Sequence, residues 1–490
     1  MILSIDQGTT GTTVLIFNQE GAVVGNSYSE FKQHYPQPGW VEHCAEEILA
    51  VTTDAIHASM DSASLKMSDI TAIGITNQRE TFVVWDCISG KPLYNAIVWQ
   101  CRRSTEICEQ IKKDGKTEWI HNKTGLVVDA YFSASKLKWF FDEHPEIRER
   151  ANHGDVLFGT IDSWLIWNFS SGKHHVTDLT NASRTLLFNI KTKQWDPELL
   201  EYFDIPKAIL PELIESVNQT VKTTVGSLFK SEIPISGIAG DQQAALVGQG
   251  CWHSGMVKNT YGTGCFMLMY TDHHLALSSH GLLTTLACDQ YGKPAYALEG
   301  SVFIAGAGVQ WLRDELQLIN DASESEEIAE SIEDTKGVYV VPAFVGLGAP
   351  YWDMAARGTI TGLTRGSGRK EIIRATLEAI AYQTKDLAVL MEKESGDAIT
   401  ELRVDGGAVE NNFLMQFQAN LLGVKINRPE LIETTAFGAA YLAGIGSGFW
   451  NPSDFDAIRK TDKIFEHKTD HLDYDALYNG WKLAIDKARL

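Results

Sequence analysis

The sequence predicts an α/β protein whose two similar halves flank a cleft, and three observations carry that reading. A strand, a turn of glycine and threonine, and a second strand occur twice, once in each half of the chain. Apolar runs of strand length alternate with stretches of helical periodicity. The length of 490 residues exceeds what one hydrophobic core holds.

Taken in order, Ile2–Ile5 reads as a short strand, followed by Asp6-Gln7-Gly8-Thr9-Thr10-Gly11-Thr12-Thr13 and the apolar run Val14–Phe17. Asp69–Thr76 and Glu80–Trp85 read as strands. Ser133–Glu143 reads as a helix opened by a serine cap and closed by His144-Pro145. Gly159–Phe169 is a further apolar segment. In the second half, Met256-Val257 leads into Asn259-Thr260-Tyr261-Gly262-Thr263-Gly264 and then Cys265–Met269. Ile372–Met391 repeats its apolar residues every three to four positions, as an amphipathic helix does. Glu401–Asp405 reads as a strand, Gly406-Gly407 as a turn, and Asn411–Leu422 as a helix ended by Gly423. No low-complexity linker marks a boundary, so the repeat places it near Gly248, giving halves 1–248 and 249–490.

Composition narrows the function classes. Hydrophobic content of 44% with 21% charged residues describes a soluble globular protein. A formal net charge of -21 argues against a general nucleic-acid or anionic-membrane surface, although local donors can still hold a phosphate. No apolar run approaches the roughly 20 residues that cross a bilayer, and Met1-Ile2-Leu3-Ser4 lacks the features of a signal peptide. Seven cysteines without a Cys-x-x-Cys pair read as reduced thiols in the cytoplasm, neither a disulfide frame nor a zinc site.

Chemistry concentrates in a few stretches. Glycine lets backbone N–H groups approach an anion and threonine adds hydroxyl donors, so the two hairpin turns suit the phosphates of a nucleotide; as ordinary β-hairpins they would look the same. Thr76-Asn77-Gln78-Arg79-Glu80 is a polar run between the apolar stretches Ile73–Ile75 and Phe82–Trp85, which suggests burial. Adjacent strand residues point to opposite faces, so Arg79 and Glu80 serve one ligand only at a strand end or bulge. A surface ion pair is the alternative. In Gly237–Leu246, Asp241 opens an Ala-rich helix as a cap, a catalytic base, or both. Strand, Gly406-Gly407 and helix form a unit that could hold a nucleotide at the helix start, or serve as a plain connection.

Together these residues resemble the FGGY carbohydrate kinases, of the actin, hexokinase and heat-shock ATPase superfamily. The resemblance runs through nearly the whole chain: Asp6–Thr10, Asn77–Glu80, Val98–Arg103, Thr180–Thr185, Gly240–Ala245, Asn259–Phe266, Ala343–Gly358 and Val404–Asn412. It implies two ribonuclease-H-like domains, as in actin-like ATPases, flanking a nucleotide and substrate cleft. It implies ATP and Mg2+, and the pairing of Asn-Gln-Arg-Glu with Gly-Asp-Gln-Gln points to members that phosphorylate glycerol to sn-glycerol 3-phosphate. By this resemblance Arg79 and Glu80 bind the glycerol hydroxyls, Trp99 and Phe266 pack on its carbons, and Tyr131 adds a hydroxyl contact. Asp241 takes the proton of the attacking hydroxyl, and Gln242 touches the same ligand. Thr9 and Thr10, with Gly11 and Thr13 on the same loop, and Thr263 face phosphates. Gly306, Gln310, Gly407 and Asn411 match nucleotide contacts, and Asp6 matches a carboxylate that holds magnesium through water. The expected assembly is a homodimer or homotetramer.

Three departures stand out. The first loop of the family usually continues Thr-Thr-Ser-Ser-Arg, whereas here Gly11 and Thr13 replace a serine and the arginine. Lys230-Ser231-Glu232 puts an acidic residue where some members bind fructose 1,6-bisphosphate, and Val221–Ile235 contains no histidine to be phosphorylated. Neither control is expected. A peptide-binding ATPase of the same superfamily would need an appended domain, for which Phe449–Leu490 is too short.

Overall fold

The computed structural model describes residues 1–226 and 228–489; Ser227, inside the Val221–Ile235 stretch, and Leu490 lie outside them. Contacts group the chain into two compact units that are not contiguous in sequence. The first holds Met1–Trp252 with two later segments, Thr284–Ala297 and Thr434–Arg459; the second holds His253–Leu283, Leu298–Glu433 and the chain from Lys460 onward. A single cut at Gly248 omits those two returns.

In the first unit, β1 (Ile2–Gln7), β2 (Gly11–Phe17), β3 (Val23–Glu30), β4 (Ala72–Asn77) and β5 (Ile235–Gly240) form one sheet in the order β3-β2-β1-β4-β5. The first three strands are antiparallel, and β4 and β5 run parallel to β1. The central strands are buried on both faces, which explains their near-continuous apolar sequences. One face packs on the helix Ala45–Ser62, where Leu3, Ile5, Val14 and Ile16 meet Ile48, Ala55 and Ile56 in one core. The other face receives the helix Thr434–Ser447, whose sequence TTAFGAAYLAGIGS is rich in small residues. That composition allows backbone contact: a Cβ on Gly74 would stand 2.2 Å from the carbonyl oxygen of Ala439, and one on Gly438 only 1.8 Å from that of Ala244. Ser4 Oγ donates to the carbonyl of Ala436 at 2.6 Å, fixing the register of helix on sheet.

The second unit repeats the plan. Strands β6 (Met256–Tyr261), β7 (Cys265–Asp272), β8 (Pro294–Val302, in this unit from Leu298), β9 (Glu401–Asp405), β10 (Lys425–Pro429) and β11 (Thr461–Phe465) follow the order β8-β7-β6-β9-β10-β11. As in the first sheet, a hairpin strand, β6, pairs antiparallel with its successor and parallel with the next strand inward. The 27-residue helix Arg369–Ser395 forms the spine of this core; the N–H of Gly368 donates to Glu371 at its start, and Gly396 ends it in the left-handed region, φ 78°.

Local expectations meet the structure unevenly. The helix Ser133–Glu143 has the expected bounds, but Phe132 is its cap residue, and the Ser133 hydroxyl donates instead to the carbonyl of Glu80 at 2.9 Å. The strand expected from Asp69 starts at Ala72, after a 3-10 turn at Met67–Asp69, and the one expected from Glu80 starts at Phe82. Gly159–Phe169 is a strand end followed by the helix Ile161–Phe169. The strand at Glu401–Asp405 forms as expected. Among the described residues no helix is long and apolar enough to cross a membrane.

Two predictions follow from this packing. Gly74→Ala must push the Ala439 backbone away from the sheet and should cost about 1–3 kcal/mol, read as a lower urea midpoint; an unchanged midpoint would contradict the contact. His43 is buried with its Nε2 2.7 Å from Gln33 Oε1, and burial, with the nearby His34 adding to it, pushes its pKa from 6.5 down to about 3. Between pH 6.5 and 3 the unfolded chain therefore binds a proton that the folded chain refuses, so acidification through this window removes stability. His43→Gln should lose less in thermal midpoint between pH 7 and pH 5 than the unmodified protein; equal losses would remove His43 as a cause.

Candidate active site

The first hairpin turn is tight, with the N–H of Gly8 donating to the carbonyl of Gly11 at 2.9 Å. Thr9 and Thr10 sit in that turn, Thr10 exposed and Thr9 accepting at Oγ1 a hydrogen bond from Trp99 Nε1 at 2.9 Å. Gly11 has a local cause: a Cβ there would lie 2.7 Å from both the Ser29 carbonyl oxygen and the Tyr28 ring. Asp6, half-buried near the end of β1, stands in register between Thr13 on β2 and Thr76 on β4. No cluster of three or more His, Cys, Asp or Glu that could cage a metal occurs among the described residues. A half-buried carboxylate such as Asp6 suits magnesium, which keeps several waters and takes few protein ligands.

The polyol-side residues converge where β4 ends. Asn77 is the last strand residue, and Arg79 takes a left-handed conformation, φ 58°. The chain therefore turns at this point, and Arg79 and Glu80 escape the alternation of a strand while remaining only 2% and 1% exposed. Arg79 Nε lies 3.0 Å from Asp241 Oδ1 and 3.8 Å from Glu80 Oε1. Arg184 Nε then donates to the same Glu80 oxygen at 2.7 Å. The result is a row of alternating charge, Asp241–Arg79–Glu80–Arg184. Its Asp241 end is open, the side chain being 28% exposed, and its Arg184 end is sealed at 0%.

Neighbouring groups shape the row. Arg79 Nη2 donates to the Tyr131 hydroxyl at 3.1 Å, and the Tyr131 ring meets Trp99 edge-on, with centroids 5.4 Å apart. This pair forms an apolar edge beside charged groups. Asp241 is the first residue of the helix Asp241–Gly248, whose cap is Gly240; Asp241 is thus not the cap, although its Oδ1 accepts from the N–H of Gln242 at 2.6 Å. Gly240 must lack a side chain because a Cβ would lie 2.7 Å from Arg79 Cγ. Gln242 is buried beside Asp241 on the same helix.

Two charged residues here escaped the sequence reading. Arg184 lies within Thr180–Thr185, and its only local signal is a charge set among small polar and apolar neighbours. Lys136 gave no local signal. Its Nζ is wholly buried and donates to the carbonyls of Ala130 at 3.1 Å and Tyr131 at 2.7 Å, holding the backbone beneath the Tyr131 ring. Burial pushes its pKa down from 10.5 to about 8.

In the second unit the matching turn closes by Gly262 N–H to the Gly264 carbonyl at 2.9 Å, leaving Thr263 exposed. The N–H groups of Ala305 and Gly306 donate to the carbonyls of Thr263 and Gly262 at 2.8 and 3.0 Å, which seats the helix Gly306–Asp314 against the turn. Gln310 is exposed one turn along that helix. Gly406 has φ 89°, and a Cβ on it would lie 2.5 Å from the Tyr261 carbonyl oxygen, so β9 delivers Gly407 to the end of β6. Space beside Gly407 is open. Asn411 caps the helix Asn412–Leu422, accepting from Leu414 N–H at 2.9 Å and donating to Ser325 Oγ at 3.2 Å. Phe266 is half-buried on β7, in register with Thr260. Thr263, Gly306 and Gly407 thus gather around one strand end, with Gln310 and Asn411 on the two adjoining helices.

Comparison with known proteins bears on the family and the fold. Residues 1–248 match the FGGY family of carbohydrate kinases, N-terminal domain, and residues 257–447 match its C-terminal domain. The chain is 54% identical over 488 residues to a glycerol kinase of Alkaliphilus metalliredigens, covering 99% of this chain and 98% of that protein. It is 55% identical over 491 residues to a glycerol kinase of Bacillus licheniformis, covering 100% and 99%. A crystal structure of Plasmodium falciparum glycerol kinase with ADP superposes with a TM-score of 0.94 at 38% identity, covering 100% of this chain and 98% of that one. A xylulose kinase of Lactobacillus acidophilus, 23% identical with a TM-score of 0.88 over 99% and 97% of the two chains, shares the fold. The fold is α/β with two ribonuclease-H-like domains, and the chain belongs to the FGGY family of carbohydrate kinases.

Proposed function

We propose that this protein acts as a glycerol kinase, transferring the γ-phosphoryl group of ATP to a primary hydroxyl of glycerol and releasing sn-glycerol 3-phosphate and ADP, the first step of glycerol catabolism. The observation that carries the reading is the buried charge row beside an aromatic edge: Arg79 and Asp241 3.0 Å apart, Glu80 next in line, and Trp99 against Tyr131. A neutral triol offers only hydroxyls and a short carbon chain. It therefore needs paired donors and acceptors and an apolar wall, and this row has both.

In this reading residues 1–248 supply one phosphate loop and the glycerol contacts other than Phe266, and residues 249–490 supply Phe266, the nucleotide contacts and the other loop. Arg79 donates to, and Glu80 accepts from, adjacent hydroxyls of glycerol; Gln242 contacts the same molecule, and Trp99 and Phe266 lie along its carbons. The attacking oxygen forms its bond to the γ-phosphorus as the bond from phosphorus to the bridging oxygen of ADP breaks, and the hydroxyl proton passes to the Asp241 carboxylate. The transition state of phosphoryl transfer is loose, so this proton leaves late and a base of modest strength suffices. Thr9 and Thr10 on one turn, Gly11 and Thr13 on the strand that follows it, and Thr263 on the other turn face the phosphates. Gly306, Gln310, Gly407 and Asn411 take the rest of the nucleotide. Asp6 would hold a magnesium ion through water, and that ion supplies charge neutralisation on the β- and γ-phosphates when bound. All seven cysteines are unbridged, which suits an enzyme of the cytoplasm.

The test is ATP- and magnesium-dependent phosphorylation of glycerol beside xylulose, ribulose, gluconate and dihydroxyacetone, compared by kcat/KM. The reading predicts a preference of several decades for glycerol; preference for a larger sugar would keep the kinase and discard the triol site. Asp241→Asn should lower kcat by about 10²–10⁴-fold while glycerol affinity changes only a few-fold. Near-normal turnover in that variant would remove Asp241 from its role.

A further inference from the structure

A further buried carboxylate, outside the charge row, supports the backbone beside Asp241. Asp178 is wholly buried and caps the single helical turn Leu179–Ala182, accepting from the N–H groups of Thr180 and Asn181 at 3.0 Å each. It also accepts from Asn181 Nδ2 at 2.9 Å, from Ser216 Oγ at 2.7 Å, and from Thr180 Oγ1 at 2.8 and 3.0 Å on its two oxygens. With its proton spent on Asp178, the Thr180 hydroxyl accepts from the N–H of Gly240 at 2.9 Å. Gly240 immediately precedes Asp241. At the other end of the same segment, Arg184 holds Glu80 Oε1 at 2.7 Å, its guanidinium carbon 5.7 Å from the centre of the Tyr131 ring and 5.4 Å from that of Phe132.

Resting on the glycerol reading above, we infer that the Asp178–Arg184 segment is the positioning element of the polyol site, with Arg184 the residue that keeps Glu80 and Arg79 from closing on each other. Arg79 Nε and Glu80 Oε1 are adjacent in sequence yet 3.8 Å apart, beyond hydrogen-bond distance. A carboxylate turns freely about its last torsion. Without a stronger partner, Glu80 would rotate onto Arg79, and each would consume the donor or acceptor that a hydroxyl needs. The charge-assisted bond to Arg184 holds the carboxylate back. The same segment grips Gly240 through Thr180, so the separation between the proton acceptor and the hydroxyl acceptor is set by one rigid turn. Arg184 touches no substrate in this account and acts through Glu80.

The experiment compares the full-length protein with Arg184→Met, Arg184→Lys and Thr180→Val. It reads kcat, KM for glycerol, KM for ATP, glycerol binding by calorimetry without nucleotide, and the thermal midpoint. Arg184→Met should weaken glycerol binding and kcat/KM by about 10²-fold, the scale of a small misplacement of reacting groups, with the KM for ATP unchanged. Arg184→Lys, which keeps the charge but loses the planar fork, should recover part of the loss. Thr180→Val acts at the Asp241 end and should lower kcat more than it raises the KM for glycerol. Losses that fall equally on glycerol and ATP and track the thermal midpoint would overturn the inference, as would full glycerol affinity in Arg184→Met. If Arg184→Met fails to fold, Arg184→Lys and Thr180→Val decide by the same split. Failure of the unmodified protein to bind or phosphorylate glycerol would instead overturn the functional reading, so the two failures are distinct.

Discussion

The site depends on one constraint: two carboxylates and two guanidinium groups form one row, of which Arg79, Glu80 and Arg184 are buried and only Asp241 reaches water. An unpaired charge in such a place is costly, so each member is tolerable only with its neighbours present. The order Asp241, Arg79, Glu80, Arg184 satisfies this, and its distances of 3.0, 3.8 and 2.7 Å show where the row is tight and where it is slack. The slack lies between Arg79 and Glu80, the two groups that a triol would bridge. Backbone features elsewhere serve this spacing: the left-handed turn at Arg79, the bare Cα of Gly240, and the capped turn after Asp178.

The phosphate side rests on a different device, used twice. In each unit a hairpin strand lies between an antiparallel partner and a parallel one, and the hairpin turn carries glycine and threonine. The turns differ in support. The first is covered by Tyr28 lying over Gly11, whereas the second is buttressed by Gly306 and Gly406, each of which allows backbone to approach backbone. The two ladders that place Asp6 in register with Thr13 and Thr76 run without a shift, and the small-residue helix Thr434–Ser447 lies close on that sheet because glycines meet it.

Much of this was legible in the sequence where the cause is local. The paired Gly/Thr turns, the strand Glu401–Asp405 and the glycine that ends the helix at Leu422 all follow from short-range patterning. Local rules place caps one residue off: Ser133 and Asp241 are each the first residue inside their helices. The Ser133 hydroxyl is engaged on the Glu80 carbonyl, and the Asp241 carboxylate accepts from the N–H of Gln242 while it pairs with Arg79. The return of residues 434–459 to the first unit depends on contacts with strands far back in the chain, as between Ser4 and Ala436 (432 positions apart), and no window of sequence reports that. Arg184 is illegible for the same reason, since its partner Glu80 lies 104 positions away. The partners of Lys136 are only five and six residues off, but a lysine at that spacing carries no pattern that marks it as buried. The roles of individual site residues came from family resemblance; the geometry adds which of them touch.

The most direct test of the charge row as a triol site is a crystal structure of the protein with glycerol bound. The account predicts glycerol hydroxyls within about 3 Å of Arg79, Glu80 and Asp241, the carbon chain against Trp99, and Arg184 still on Glu80. Glycerol bound away from this row, or Arg79 and Glu80 closed into a direct pair beside it, would contradict the account.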